Sequence, residues 1–572
     1  GKSLVSLSLS SLRWSELAVE KGREQPWSDS RLSSMSPLLL FLLSLSSSFA
    51  FSPFPPSEGD VRHLYPQSSI SILLQSHSHV LPYLLGWIEN IDYPKKRLHL
   101  NIYLSPEAKE DTTREQIQWW KGQISSFFKS LSIHETSKLE GKSWQEHALV
   151  NARQLLSSFV LFWNGDDLPS NDRFLSRIFN KSRPLVSSLL LPPSSHLGRW
   201  NIKLNTQLIN NNIDSNAKMD EIGIVEYPFI LNLDLSDSTY LTFEKGNVRG
   251  YDGIDSPLSV FSFSARVMSI PLLVDRSISI GWHIDQSFPL EERRMMLCYL
   301  LSQLVVDHSS IPLPQSRSVR APRPQKKKFG FEKIYVINLR RRPERRAIMQ
   351  TICDVIALEC EFLDATDGRS LPSSYTVTQL DSFIDPSTKR KMTNGEVGCF
   401  LSHYRIWEEV SSLGLSRVLV LEDDARIIDG AFKMINEMME DIVKTRTNWG
   451  LIYMGRKRTK EHIKSDMWVE GIRHLSTVGY SYWTVGYALS LEGAKTLLGG
   501  NPLERMVPVD EYLPIMADVH PNEEWKQAFK SRSLSMFSIH PLVIYPHRYT
   551  NEEGHVSDTE DSQIHEKKRD EL

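Results

Sequence analysis

The sequence predicts two α/β domains in tandem, each built on a mostly parallel sheet. Three observations carry this expectation. The chain has 572 residues, short apolar runs alternate with helix-period segments in both halves, and a proline-rich break separates the halves. Strands alternating with helices favour parallel sheets covered by helices, and such a length exceeds what a single core organises.

In the first half, residues 66–310, the runs 70–74 and 98–104 read as buried strands flanking an amphipathic segment at 80–91. Helical patterns at 113–128 and 145–156 precede a third apolar strand at 158–162, which ends in Trp163-Asn164-Gly165-Asp166-Asp167. Residues 311–328 hold Pro312, Pro314, Pro322 and Pro324 and then three lysines, which reads as an extended linker with a solvated basic edge. In the second half, residues 329–550, strand-like runs at 333–339, 418–421 and 451–454 are again separated by helical patterns.

Composition removes several function classes. The chain is 40% hydrophobic and 24% charged with a formal net charge of −3, so nothing in its global charge attracts nucleic acid. Its 28 glycines and 30 prolines exclude a triple helix, and four cysteines exclude a disulfide-dense scaffold. Cys353 and Cys360 are the nearest pair, leaving one bridge or free buried thiols as alternatives.

The ends read as addresses. Residues 1–50 are expected to be an upstream segment plus a signal peptide, with the apolar run 38–45 after Met35 and a small-residue cleavage pattern at Ser48-Phe49-Ala50. That run is shorter than a bilayer span, and no later segment is long and apolar enough, so the chain is not expected to be transmembrane. The charged tail 551–572 ends in Arg569-Asp570-Glu571-Leu572, a variant of the retrieval signal of the endoplasmic reticulum, whose lumen is the expected location. Asn180-Lys181-Ser182 is an N-glycosylation sequon usable there.

The most informative stretch is Arg417-Val418-Leu419-Val420-Leu421-Glu422-Asp423-Asp424. Four apolar residues fit a strand covered on both faces, and three acids emerge where ligands of open α/β sheets bind. Crowded carboxylates resist ionisation unless a cation neutralises them, so Glu422, Asp423 and Asp424 are candidate ligands of Mn2+ or Mg2+ bridging a diphosphate. A second strand runs through Asn338 into an arginine cluster containing Arg342 and Arg345, side chains suited to phosphate. Residues 396–407 read as a helix presenting Ser402 and His403, while Cys399 with His403 lacks the other elements of a thiol nucleophile. Asp510 and Glu511, set between prolines in apolar surroundings, are candidate general bases.

These segments resemble the family 25 glycosyltransferases of animal procollagen modification and their paralogue, the cerebral endothelial cell adhesion molecule. The resemblance runs through residues 331–342, 395–408, 418–426, 451–457, 480–484 and 506–521 and the tail at 556–560. It implies two glycosyltransferase A-type, Rossmann-like domains in tandem, the first divergent, and inverting transfer of galactose from UDP-galactose to collagen hydroxylysine with Mn2+. In the first domain the family's Asp-x-Asp corresponds to Asn164-Gly165-Asp166, and a later Asp-Asp to Asp255-Ser256, which speaks against ordinary metal–nucleotide binding there. Mapped onto this chain, Asn338, Arg342, Arg345, Ser402 and His403 would contact the nucleotide sugar. Collagen would be the acceptor, with a lysyl hydroxylase and a second copy of the chain as further candidate partners. The alternatives are a member without catalysis acting as a binding or adhesion protein, and a transferase for another acceptor.

Overall fold

The computed structural model describes residues 65–169, 185–191, 219–285, 287–322, 324–371, 374–386, 388–458, 466–549 and 558–559. The expected signal peptide, Asn180 and the terminal Arg569–Leu572 signal lie outside the described residues.

The first half forms one sheet from β1 (Ser68–Leu74), β2 (Leu98–Leu104), β3 (Ser130–Glu135), β4 (Phe159–Asn164), β5 (Asp167–Pro169), β6 (Leu185–Leu191), β7 (Met219–Glu221), β8 (Phe229–Asn232) and β9 (Leu273–His283). Their order is β3-β2-β1-β4-β8-β6-β9-β5, with β7 on β9. β1 pairs in parallel with both β2 and β4, so the chain reverses direction across the sheet between β1 and β4. A crevice opens at such a point beyond the strand ends.

The second half repeats that arrangement with β10 (Lys333–Asn338), β11 (Glu361–Asp364), β12 (Arg417–Glu422), β13 (Ala425–Ile427), β14 (Leu451–Arg458), β15 (Leu475–Thr477), β16 (Ser481–Ser490), β17 (Met536–Ile539) and β18 (Ile544–Pro546). The main sheet runs β11-β10-β12-β16-β14-β17-β15, while β13 and β18 pair separately. β10 is parallel to β11 and β12, which places the reversal between β10 and β12. The expectation of two α/β domains holds, but neither sheet is mostly parallel: parallel pairs gather around β1 and β10, and antiparallel pairs such as β4–β8, β6–β8, β12–β16 and β14–β16 are as numerous in each. The run 481–490 is not among the expected strands, yet β16 lies antiparallel beside β12 at the centre.

β12 shows why its four apolar residues stand in a row. Leu419 and Leu421 enter the core beneath the helix Ala431–Thr445, whereas Val418 and Val420 enter the core beneath the helix Asn394–Leu413. The latter helix starts at a capping box, with Thr393 and Glu396 each bonding the other's backbone, and stops at Gly414 with φ +67°. Pro343 opens the helix Pro343–Val355, where a missing N–H costs nothing. The alternative left open by sequence is settled: Cys353, in that helix, is bonded to Cys360, while Cys298 and Cys399 remain thiols.

The proline-rich stretch is not a freely solvated tether. Glu89 accepts from Ser316 Oγ at 2.5 Å and from the Arg317 amide at 3.0 Å, and the Lys327 amide donates to the Ala357 carbonyl at 2.8 Å. The helix Leu290–His308 before it feeds Met296, Leu300 and Leu304 into one core and Tyr299 and Val305 into the core of the second sheet. Among the described residues no helix is long and apolar enough to cross a membrane.

Candidate functional site

The acids at the end of β12 divide by strand alternation. Asp423 turns toward β10: it accepts from Asn338 Nδ2 at 2.7 Å and from Arg345 Nη1 at 3.2 Å. Burial still holds its carboxyl above the ordinary value, with Arg345 and Asn338 opposing. Glu422 turns toward the helix Asn394–Leu413, accepts from the Thr484 hydroxyl and lies 3.7 Å from His403 Nε2. Burial alone would raise Glu422, but His403, Thr484 and Arg345 outweigh it and leave the group below the ordinary range.

Asp424 is different. Its Oδ1 is buried with no hydrogen-bond partner, and burial, reinforced by Glu422 and Asp423, pushes its carboxyl up to about 7. An orphaned anionic oxygen beside other carboxylates is what a hard cation relieves, so the residues fit one. Among the described residues no three His, Cys, Asp or Glu side chains form a ready-made cage.

Asp510 and Glu511 begin the helix Val509–Met516. Glu511 Oε2 accepts from Tyr480 Oη and His520 Nε2, both at 2.8 Å. Because the Asn522 amide donates to His520 Nδ1, the ring hydrogen sits on Nε2. Asp510 has carboxylates as its charged neighbours: burial first, then Glu511, Glu396 and Glu422, raise it to about 7. Of the two candidate bases, Glu511 is therefore committed to a buried network and Asp510 is the one poised to exchange a proton.

The remaining expected residues fall as follows. Asn338 also donates to the Arg342 carbonyl at 3.2 Å, so it orients Asp423 and the arginine turn. Arg342 and Arg341 grip Asp558 through bonds of 2.6–3.2 Å, and Arg345 Nη1 lies 3.8 Å from the same carboxylate. The arginine cluster thus recognises a carboxylate of the chain's own tail. Ser402 donates to the Gly398 carbonyl and accepts from the Thr366 amide, each bond internal, so its hydroxyl supports the helix and its neighbouring turn instead of facing a ligand. His403 Nδ1 contacts Tyr487 Oη at 2.9 Å, leaving Nε2 toward Glu422. Burial, with Glu422 and Asp510 nearby, drives the Cys399 thiol well up, which removes it as a nucleophile. Thr484, Tyr480 and His520 fall within the resembling stretches 480–484 and 506–521, but nothing in the residue pattern itself assigns them a role. Asp558 falls within the tail that shares the family resemblance, and its pairing with the arginines is long-range. A cavity of about 370 Å3 lined by Gly330, Arg417 and Trp449 sits at the opposite end of β12 from the acids.

The first domain has a counterpart at its own reversal point. His77 Nε2 donates to Asp166 Oδ1 at 2.8 Å, its Nδ1 being occupied by the Gln75 amide. Asn164 donates to Asp166 Oδ2 at 3.2 Å, and Asp167 pairs with His283 Nδ1 at 2.7 Å. Both acids are buried, and desolvation raises Asp167 to about 6. Where the second domain couples Asp423 to an asparagine and an arginine, the first couples Asp166 to an asparagine and a histidine and Asp167 to a histidine. Asp255 lies apart, in the exposed turn before the helix Pro257–Val267.

Comparison with known proteins bears on both halves. Residues 331–513 match the family described as glycosyltransferase family 25 (LPS biosynthesis protein), and residues 65–296 match its N-terminal domain. A glycosyltransferase 25 family member of Aedes aegypti is 34% identical over 540 residues, covering 88% of each chain. Procollagen galactosyltransferase 2 of Mus musculus is 31% identical over 567 residues, 92% of this chain and 89% of that one. A mouse protein named inactive glycosyltransferase 25 family member 3 is also 31% identical, over 87% of this chain and 88% of its own. With both halves matched in order and relatives aligned along nearly their whole length, the chain belongs to glycosyltransferase family 25.

Proposed function

We propose that the chain transfers galactose from UDP-galactose to the hydroxyl of hydroxylysine in collagen-like chains, in one inverting displacement, within the lumen of the endoplasmic reticulum. The observation that carries this is a pair of buried carboxyls, both raised to about 7 and both feeling the charge of Glu422: Asp424, with an orphaned oxygen, and Asp510. One suits an ion bound with a diphosphate, the other a proton acceptor near neutral pH.

Asp424, with Glu422 and Asp423 beside it, would hold Mn2+ or Mg2+, which supplies charge stabilisation to the departing diphosphate. Thr484 and His403 orient Glu422, while Asn338 and Arg345 orient Asp423. Arg342 and Arg345 lie on the β10 side, where the parallel-strand crevice would receive the nucleotide. Asp510 takes the acceptor hydroxyl proton as the oxygen bonds to the anomeric carbon. The bond from that carbon to the diphosphate breaks on the opposite face, and its electron pair leaves on the phosphate oxygen. The relative named procollagen galactosyltransferase supports the donor and acceptor chosen.

A second reading, a family member that binds without catalysis, is favoured by the relative named inactive and by the histidine-paired acids of the first domain. Release of UDP from UDP-galactose with a hydroxylysine peptide and Mn2+ separates the two. Turnover establishes the transferase, and a folded protein without turnover establishes the second reading. Turnover only with another acceptor would keep the enzyme and change its substrate.

A further inference from the structure

Beside the acids lies an aromatic pair that the chemistry above leaves unused. Trp483 lies in β16 with φ +76°, a left-handed conformation that a bulky side chain adopts only when its surroundings enforce it. The next residue, Thr484, is the one that holds Glu422. On the other flank, the His547 amide donates to the Asp424 carbonyl at 2.8 Å, and two residues later the Tyr549 ring meets the Trp483 indole at 5.8 Å between centroids. Lys457, paired with Tyr482 across β14 and β16, sets its ammonium 5.4 Å from the same indole. β14 reaches that position through register shifts on either side of Gly455, where a Cβ would come within 2.2 Å of the Ile544 carbonyl oxygen. The two rings are thus tethered to the first and last of the three acids, Glu422 and Asp424, and Tyr549 is 42% exposed.

We propose that Trp483, backed by Tyr549, is the acceptor platform and stacks on the prolyl rings of an extended, proline-rich peptide. This rests on the transferase reading above. Asn338 and the arginines occupy the flank of the acids between parallel strands, where nucleotides bind. The antiparallel β16–β14 flank is left to the acceptor. A collagen-like chain is a stiff left-handed polyproline helix, and flat aromatic faces bind such chains at small entropic cost. Lys457, over the indole, adds a positive charge that repels a basic side chain from the platform and leaves it to uncharged prolyl rings.

The experiment uses the full chain with Trp483→Ala, Trp483→Phe and, at the more exposed partner ring, Tyr549→Ala. Calorimetry gives the Kd for UDP with Mn2+, and UDP release gives KM for a proline-rich hydroxylysine peptide. The expected result for Trp483→Ala is a rise in peptide KM of about tenfold with UDP affinity changed less than about twofold. Trp483→Phe recovers most of the loss, and Tyr549→Ala raises KM by a smaller factor. An unchanged peptide KM in both alanine variants overturns the proposal, as does a loss of UDP affinity that matches the loss for peptide. If the wild-type chain releases no UDP, the transferase reading is what has failed. Direct calorimetric titration of the same peptide then decides the platform: binding by wild type that weakens in the variants upholds it, and equal or absent binding overturns it.

Discussion

Replacing Asp424 with asparagine should make the metal-free protein more stable while removing its activity. The folded carboxyl keeps its proton up to about pH 7, whereas an ordinary aspartate releases it near 3.8. Between those values the native state binds more protons than the unfolded state, so this group's contribution falls as pH rises through the window. Each pKa unit corresponds to about 1.4 kcal/mol, which puts the cost of an ionised Asp424 at pH 8 near ~4 kcal/mol before screening. Asp424 as a whole residue is only partly covered, and relaxation and screening through its exposed side reduce this to roughly 1–2 kcal/mol. The amide of the Asp424→Asn variant keeps the shape without the charge. Thermal unfolding in chelator should therefore show a midpoint a few degrees higher for the variant at pH 8, with the difference vanishing at pH 4. Added Mn2+ should stabilise the wild type by mass action and leave the variant unmoved. Transfer should fall by about 100-fold or more, the scale of losing one electrostatic contact to a leaving group. A variant equally destabilised at both pH values, or one retaining transfer within about tenfold, would refute the reasoning.

Further outcomes follow from the described contacts. Asp510→Asn should abolish transfer while keeping UDP affinity, whereas Glu511→Gln, acting through His520 and Tyr480, should lower thermal stability and reduce kcat less; comparable kcat losses with UDP binding intact would reverse the roles. In the wild type, the kcat profile should rise with pH through the Asp510 value of about 7, and a flat profile between pH 5 and 8 would exclude it as the base. Asn164→Asp would replace a donor to Asp166 with a second carboxylate, so differential scanning should show a loss of about 1–3 kcal/mol and no gain in activity. Cys353→Ser opens a bridge spanning a sequence separation of 7 and should cost about 2.5 kcal/mol by loop entropy, read as a lower denaturation midpoint that reductant also produces in the wild type.

The parallel strands and the acids of β12 were legible because local pattern determines them: an apolar run buried on both faces, then charges at its end. β16 was not, since Ser481-Tyr482-Trp483-Thr484 carries no clean alternation and its place beside β12 is set by pairing across 65 to 73 positions of sequence. Glu511 and Asp510 are adjacent and chemically alike, and only His520 and Tyr480, brought in by folding, separate their roles. The internal use of Ser402 was hidden for the same reason: its partner Thr366 is 36 residues away. For the arginine cluster, the sequence showed the donors but not that Asp558, more than two hundred residues later, would be their acceptor.

The helix Leu290–His308 lends side chains to two cores at once, with Gln303 also reaching the Ile427 carbonyl at 3.2 Å. Cutting the polypeptide at the proline-rich break would therefore not yield two intact halves. The carboxyl-terminal piece would surrender Tyr299 and Val305, uncovering the core side of β10 and β12, the strand that carries the three acids. Protease clipping near residue 311 should consequently leave the fragments associated, and dissociating them should extinguish whatever activity the second half possesses.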